Sequence, residues 1–338
     1  MSIKGYSRSV LEVISGHMAL KWQRRPSGLY CFNYHRIGRA ADSEFDPNVF
    51  SCSEERFTQH LAFYKQDFDV VSIEDLIKLQ SENRKIKERL ALITFDDGYI
   101  DNYLIAYPIL KAAGVFASFF VSTDYIDKPE IPWWDEVGWI VRHAGARSIQ
   151  LPHWPQPINV AHGSMSMRIR RLLKAVKQDN SLVMSEKLAQ LKRLLQLENV
   201  SMPKSTELFM NWAQLKEMAD HGMHIGSHTL SHNILSHLTA QQQLVELTQS
   251  KQRLDTMLER PAISLAYPVG GHNSFTPETQ RLVQQAGYQL AFSFVSGINR
   301  ELNVSNCFQL RRFPIEEESS VWRLKQMVNR RFDLWAVN

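Results

Sequence analysis

One stretch limits what this chain can fold into more than any other. Leu90-Ala91-Leu92-Ile93-Thr94-Phe95 runs almost wholly apolar, then stops at Asp96-Asp97-Gly98. A short apolar run of this kind reads as a strand covered on both faces, the kind used by parallel sheets. Two adjacent carboxylates repel, and each costs free energy unless a cation or a proton-accepting task accompanies it. A second stretch, Ser227-His228-Thr229-Leu230-Ser231-His232, places two histidines at i and i+4. On a helical turn that spacing puts both imidazoles on one face. Two histidines and one carboxylate make a typical hydrolytic zinc set with a position left for water. Taken singly, Asp-Asp-Gly is a common turn signal, and a histidine pair is ordinary on a solvated helix. Their joint appearance, each after a strand-like run, points to a metal site.

Strand and helix signals alternate around these two stretches. Residues 28–34 read as a first strand ending in Tyr34-His35-Arg36. In a barrel of parallel strands chemistry collects at the strands' C-terminal ends, which places His35 at the site. Ser53 and Ser72 are helix caps. Residues 99–113 read as a helix closed by Gly114, and residues 115–122 as the next strand. Asn211 caps a helix, and residues 224–227 form a short strand that delivers His228 and His232. Residues 238–258 form a long helix with Thr239 as its cap. Ser264 to Gly271 is a strand and a tight turn through Tyr267-Pro268-Val269-Gly270. A helix over 276–286, strands over 290–294 and 310–315, and a helix over 319–328 complete the chain. This rhythm predicts an α/β barrel. No internal repeat or low-complexity tract appears.

Regularity breaks at Pro132-Trp133-Trp134-Asp135-Glu136-Val137-Gly138-Trp139. Indole rings stack on sugar C–H faces, and they also fill packing clusters under loops. From about 143 to 205 the composition shifts to two basic amphipathic helices, around Arg168-Ile169-Arg170-Arg171 and Leu188-x-x-Leu191. This predicts a helical insertion that caps or borders the cleft. Residues 1–27 read as an N-terminal helical segment with a basic end, and 28–338 as the barrel. The 338 residues are 44% hydrophobic and 22% charged, with net charge +4, so charge gives no case for nucleic-acid binding. Three cysteines without a close pair do not make a disulfide framework. The absence of a signal-like core near Met1 gives a cytoplasmic expectation, and no run is long enough to cross a bilayer.

Thr94-Phe95-Asp96-Asp97-Gly98 together with Ser227-His228-Thr229-x-x-His232 resembles the polysaccharide deacetylase family (NodB homology, carbohydrate esterase family 4). The resemblance runs from about Tyr30 to Ile315. It implies a distorted, incomplete (β/α) barrel and removal of N-acetyl groups from a glycan or glycan precursor. It also implies Asp96 as general base, Asp97, His228 and His232 as ligands of Zn²⁺ or another divalent transition metal, and the Val269 N–H as an oxyanion donor. Trp133, Trp134, Asp135 and Tyr267 are the candidate substrate contacts.

The chain departs from the family pattern in two places. The position of the family's usual third-motif arginine aligns with Ala266, and no histidine follows His272. Arg312, on the last strand, is the candidate to orient Asp96 in place of that arginine. Alternation sends Arg311 and Arg312 to opposite faces without saying which is the inside. His35 or His272 would supply the leaving group's proton, or the base would return it. Two other classes stay open: a non-haem iron enzyme, whose ligand set is the same, and a non-catalytic glycan-binding barrel.

Overall fold

The computed structural model describes residues 22–82, 85–128, 130–145, 147–179, 181–202 and 208–329. The N-terminal helical segment expected over 1–27 lies almost wholly outside them. The chain begins with β1 (Gly28–Tyr34) and a short pair, β2 (Arg36–Ile37) with β3 (Phe50–Cys52). Then come α1 (Glu54–Asp67), β4 (Asp69–Val70), α2 (Ile73–Ser81) and β5 (Arg89–Asp97). After β5 the chain enters α3 (Tyr107–Ala113), β6 (Ser118–Val121) and α4 (Trp133–His143). The small pair β7 (Ser148–Ile149) and β8 (Ile158–Asn159) precedes α5 (Met165–Gln178) and α6 (Met184–Leu194). The second half holds α7 (Trp212–Asp220), β9 (His224–Ser227), α8 (Ala240–Leu258), β10 (Ser264–Ala266), α9 (Pro277–Gln285), β11 (Leu290–Phe292), β12 (Arg312–Pro314) and α10 (Val321–Asn329).

Seven parallel strands form the wall in the order β11-β10-β9-β6-β5-β1-β12, with β4 paired to the first half of β5. A single bridge between Phe292 and Leu310 spans the gap between β11 and β12. The result is a nearly closed parallel barrel with an unsealed seam. Side-chain alternation divides its core into two layers. Leu29 and Cys31 of β1 and Leu90 and Leu92 of β5 meet Phe120, Ala266, Leu290 and Phe292 in the lumen. Their neighbours Tyr30, Phe32, Ala91, Ile93 and Phe95 face outward into the layer beneath the helices. Gly226 is needed on β9 because a Cβ there would lie 2.6 Å from the Phe120 ring that fills the lumen. Ser72, Asn211, Thr239 and Thr276 each close a reciprocal capping box.

The helix expected over 99–113 is not uniform. Residues Asn102–Ala106 widen into a π-turn before α3. Pro108 accounts for this, since it offers no N–H and its ring crowds the carbonyl four residues back.

The irregular aromatic stretch is a helix, α4, with Pro132 at its N-cap. Bulky residues obscure its period because nearly all of it is buried, between α5 and α6 on one side and residues 45–46 on the other. The appended layer therefore begins at Trp133, ten residues before the predicted boundary. Its core joins Trp139, Ile140, Ile169, Leu172, Val176, Leu188 and Leu191, and it continues into Tyr99 and Phe209 beside the barrel mouth. Two of its arginines are occupied internally. Arg168 donates to the carbonyls of Val160, Val141 and Gly145, and Arg171 to those of Asn159 and His162. Buried Lys187 donates to Val176 O and Asp179 O, satisfying carbonyls at the end of α5. Among the described residues no helix is long and apolar enough to cross a membrane.

Candidate metal centre

Asp96 continues the lumen-facing series Leu90, Leu92, Thr94, so the strand itself aims its carboxylate inward. Arg312 meets it from β12 in a bidentate pair, with Nη1–Oδ1 at 2.7 Å and Nη2–Oδ2 at 2.8 Å. The guanidinium is fully buried, and its Nε donates to Ser293 O at 2.9 Å. Asn33 joins the two charges: its Nδ2 donates to Asp96 at 3.1 Å, and its Oδ1 accepts from Arg312 at 2.6 Å and from Thr94 at 2.7 Å. Burial pushes the Asp96 carboxyl up. The Arg312 guanidinium, then His228, pull it further down, so it lies below the ordinary carboxylate value. Phe313 and Ile315 pack in the outer layer, which settles the alternation. Arg312 faces the lumen, while exposed Arg311 packs its side chain over Gly297.

Asp97 leaves the strand in a left-handed conformation, φ 75°, and Gly98 follows at φ 88°. A Cβ on Gly98 would lie 2.9 Å from Val121, so glycine is required by both space and φ. This turn swings the Asp97 carboxylate toward the end of β9. His228 Nε2 and His232 Nε2 each lie 3.4 Å from Asp97 Oδ1. The two histidines do not share a helical face as expected. They sit on a loop in which Thr229 (φ 66°) and His232 (φ 59°) are left-handed. Glu246 of α8 holds that loop by accepting from the N–H groups of Leu230 and Ser231 and from the Ser231 hydroxyl. His228 Nδ1 lies 2.8 Å from Ala266 O, and a carbonyl only accepts. Nδ1 therefore carries a proton, and Nε2 is the nitrogen turned toward Asp97.

The three residues fit a divalent cation. Asp97 Oδ1 is buried and accepts no hydrogen bond, although two imidazole nitrogens face it. Tetrahedral bonds of about 2.0–2.1 Å put neighbouring ligand atoms about 3.4 Å apart, which is the spacing seen here. Asp97 is raised by burial and lowered further by the two imidazoles, and it ends well below the ordinary value. Burial pushes His232 down to about 4, so it is neutral, as a ligand must be. Left-handed φ is costly for non-glycine residues. Asp97, Thr229, His232 and Val269 all adopt it at this one site.

The remaining candidates divide. His35 borders the cavity, its backbone held by Ser51 and Asn102 and its ring edge-on to Phe294. Val269 borders it too, at φ 61°, and its N–H has no acceptor among the described residues. Tyr267 shows only its ring, since its hydroxyl donates to Phe308 O at 2.8 Å. Trp133 and Trp134 border the cavity as well, mostly buried and packed against His232. The Trp134 ring centre is 4.1 Å from that of His232, and Trp133 Nε1 donates to His232 O at 3.2 Å.

Asp135 is a correction: it lies behind the wall, fully buried, and does not border the cavity. It accepts from Tyr99 Oη at 2.8 Å and Asp46 N at 3.2 Å, because the helical rotation from Trp134 turns it toward the loop at 46. His272 is exposed beside a separate cavity and does not reach the site. Sequence reasoning passed over Asn33, Asp46, Leu173, Lys177 and Glu246. Only Glu246 left a trace, as an acid on the otherwise inward face of α8.

A sequence model of the family described as Polysaccharide deacetylase matches residues 83–291. The protein YxkH of Bacillus subtilis (strain 168), named after the same family, is 25% identical over 274 residues, 81% of this chain and 67% of its own length. The Streptococcus pyogenes deacetylase PplD, solved with acetate, is similar in fold, with TM-score 0.57, 20% identity and coverage of 90% of this chain and 99% of that one. A de-N-acetylase from Aggregatibacter actinomycetemcomitans superposes with TM-score 0.56, 16% identity and coverage of 88% and 99%.

Proposed function

This chain belongs to the polysaccharide deacetylase family, and from that premise we propose that it is a hydrolase that removes N-acetyl groups from an N-acetylated glycan or glycan precursor. The observation that carries the reading is an ionised carboxylate, Asp96, fixed beside a buried Asp-His-His set. Asp97, His228 and His232 would hold Zn²⁺, or another divalent transition metal in its place. Such a metal lowers the pKa of a bound water and polarises the acetyl carbonyl.

Asp96 takes the water's proton, and Arg312 keeps it ionised and aimed. The Val269 N–H, which has no acceptor among the described residues, would donate to the developing oxyanion. His35 borders the substrate on the β1 side. The same ligands suit Fe(II), but a base beside the set serves water activation and has no part in oxygen chemistry. The likeness in fold to a de-N-acetylase supports an amide-linked acetyl group.

The test is acetate release from a short N-acetylglucosamine oligomer by the full-length, metal-reconstituted protein. Asp96→Asn should keep stoichiometric metal by elemental analysis and lose at least ~100-fold in turnover. Wild type that releases no acetate, or an unaffected Asp96→Asn, overturns the reading.

A further inference from the structure

Asp96 and Arg312 do not stand on neighbouring strands. The order β5-β1-β12 puts β1 between them, and strands two apart in a sheet lie roughly 10 Å from each other. A side chain that points into the lumen from the middle strand is the one placed to touch both. Asn33 is that residue. It continues the inward series Leu29, Cys31 of β1, level with Thr94 on one side and Pro314 on the other. It is completely buried.

The amide meets each charge with the matching atom. Its Oδ1 accepts from Arg312 Nη1 at 2.6 Å and from the Thr94 hydroxyl at 2.7 Å, and its Nδ2 donates to Asp96 Oδ2 at 3.1 Å. The partners themselves orient the amide. A guanidinium only donates, so the atom facing Nη1 is the oxygen. Few side chains of this size could do both tasks. Aspartate would accept from Arg312 but turn a second negative charge toward Asp96, and leucine would make neither contact.

The bidentate pair by itself leaves one freedom. Both of its N–H groups belong to a single planar guanidinium, so the guanidinium and the carboxylate can tilt together. Ser293 O, just after β11, accepts from Arg312 Nε at 2.9 Å and steadies the cation. Asn33 gives Asp96 the corresponding hold from another strand. A general base needs it, because a misplacement of about 1 Å at a reacting group can cost on the order of 10²-fold.

We propose that Asn33 is a positioning residue for the general base. It fixes the Asp96 carboxylate against tilt and rotation, and it acts on turnover only through Asp96. Asn33 does not border the cavity, so it has no substrate contact of its own to contribute. The inference rests on the deacetylase reading above, in which Asp96 takes the proton of the attacking water.

The test measures acetate release from a short N-acetylglucosamine oligomer by full-length, metal-reconstituted variants. Asn33→Ala should lower kcat by about 10–100-fold, the scale of one hydrogen bond to a charged group, and leave KM near the wild-type value. Metal content by elemental analysis should not change. Asn33→Asp keeps the shape and the acceptor contacts but loses the donor to Asp96, so it should be at least as slow as Asn33→Ala. In an Asp96→Asn background, Asn33→Ala should lower kcat by no more than about twofold, because a residue that acts through Asp96 has nothing left to act on. Wild-type turnover in either Asn33 variant overturns the inference. Loss of metal, failure of both variants to fold, or a loss of kcat that repeats in full in the Asp96→Asn background marks Asn33 as structural and overturns it too. Wild type that releases no acetate overturns the deacetylase reading itself, and this inference with it.

Discussion

The cavity has two walls built on different physical principles. The barrel wall is directional. Asp96, Arg312 and Asn33 sit on strands and His228 on the loop that leaves β9, and each is held by hydrogen bonds of 2.6–3.1 Å to a named partner. The appended wall is volumetric. Trp133, Trp134 and Leu173 are placed by an apolar core that runs back through α4, α5 and α6. Directional contacts fix positions closely but leave a buried charge behind when one partner goes. Apolar packing tolerates substitution of similar volume more readily. The first wall therefore suits a metal and its base, and the second suits selection of what approaches them.

The largest contrast should appear in metal binding. His228→Ala removes a ligand whose other nitrogen is locked to Ala266 O, and stoichiometric metal should disappear while the fold persists, as read by elemental analysis and circular dichroism. Trp134→Leu removes only a ring packed on His232 and should keep most of the metal. If Trp134→Leu empties the site as fully as His228→Ala, the two walls do not differ in kind.

The next contrast lies in stability. Arg312→Met strands the buried Asp96 charge, and loss of one partner from a buried pair costs about 3–5 kcal/mol. Chemical denaturation should show that loss together with reduced turnover, while metal content changes little. Adding Asp96→Asn to Arg312→Met should recover part of the stability, since the stranded charge is gone. Arg311→Met, on the outer face, should stay within about 0.5 kcal/mol of wild type. The reverse ranking of the two arginines would break the assignment of the lumen side.

The same division explains what was legible beforehand. The Asp96-Asp97 pair and the His228/His232 pair lie more than a hundred residues apart, yet each pair follows a strand-like run, so period and motif located them. Arg312 was readable as one of two alternating arginines. Only packing of Phe313 and Ile315 in the outer layer chose between them. The loop that presents His228 and His232 was not readable, because left-handed φ at a threonine and a histidine follows no propensity. It depends on Glu246, fourteen residues beyond His232, accepting its N–H groups. The appended wall was visible as a composition shift but not as a wall. Nothing local to Lys177 or Asp46 announces the cavity they share, since only tertiary packing of α5 brings them there.

The smallest expected effect tests the charge that the appended wall hides. Asp135 is fully buried on α4, and burial pushes its carboxyl up to about 7. Arg36 opposes that rise, but it is already paired with Asp101 at 2.7 Å. Tyr99 Oη and Asp46 N also lower it by donating, while the Asp46 carboxylate raises it. In the unfolded chain an aspartate titrates near ~3.9. Between these values the folded state binds the extra proton, so folding is favoured at the acid end and loses stability as pH rises toward 7. The loss has a limiting slope of about 1.4 kcal/mol per pH unit, the value for one proton. Asp135→Asn carries no such proton. The stability of wild type minus that of Asp135→Asn, from denaturant titrations at pH 5, 6, 7 and 8, should therefore fall from 5 to 7 and level off above. Paired carboxylates such as Asp96 contribute in the opposite sense, and they cancel in the difference because both proteins keep them. A difference that rises with pH would mean Asp135 is folded as a stabilised carboxylate. The appended wall would then hold a directional charge of its own, like the barrel wall it faces.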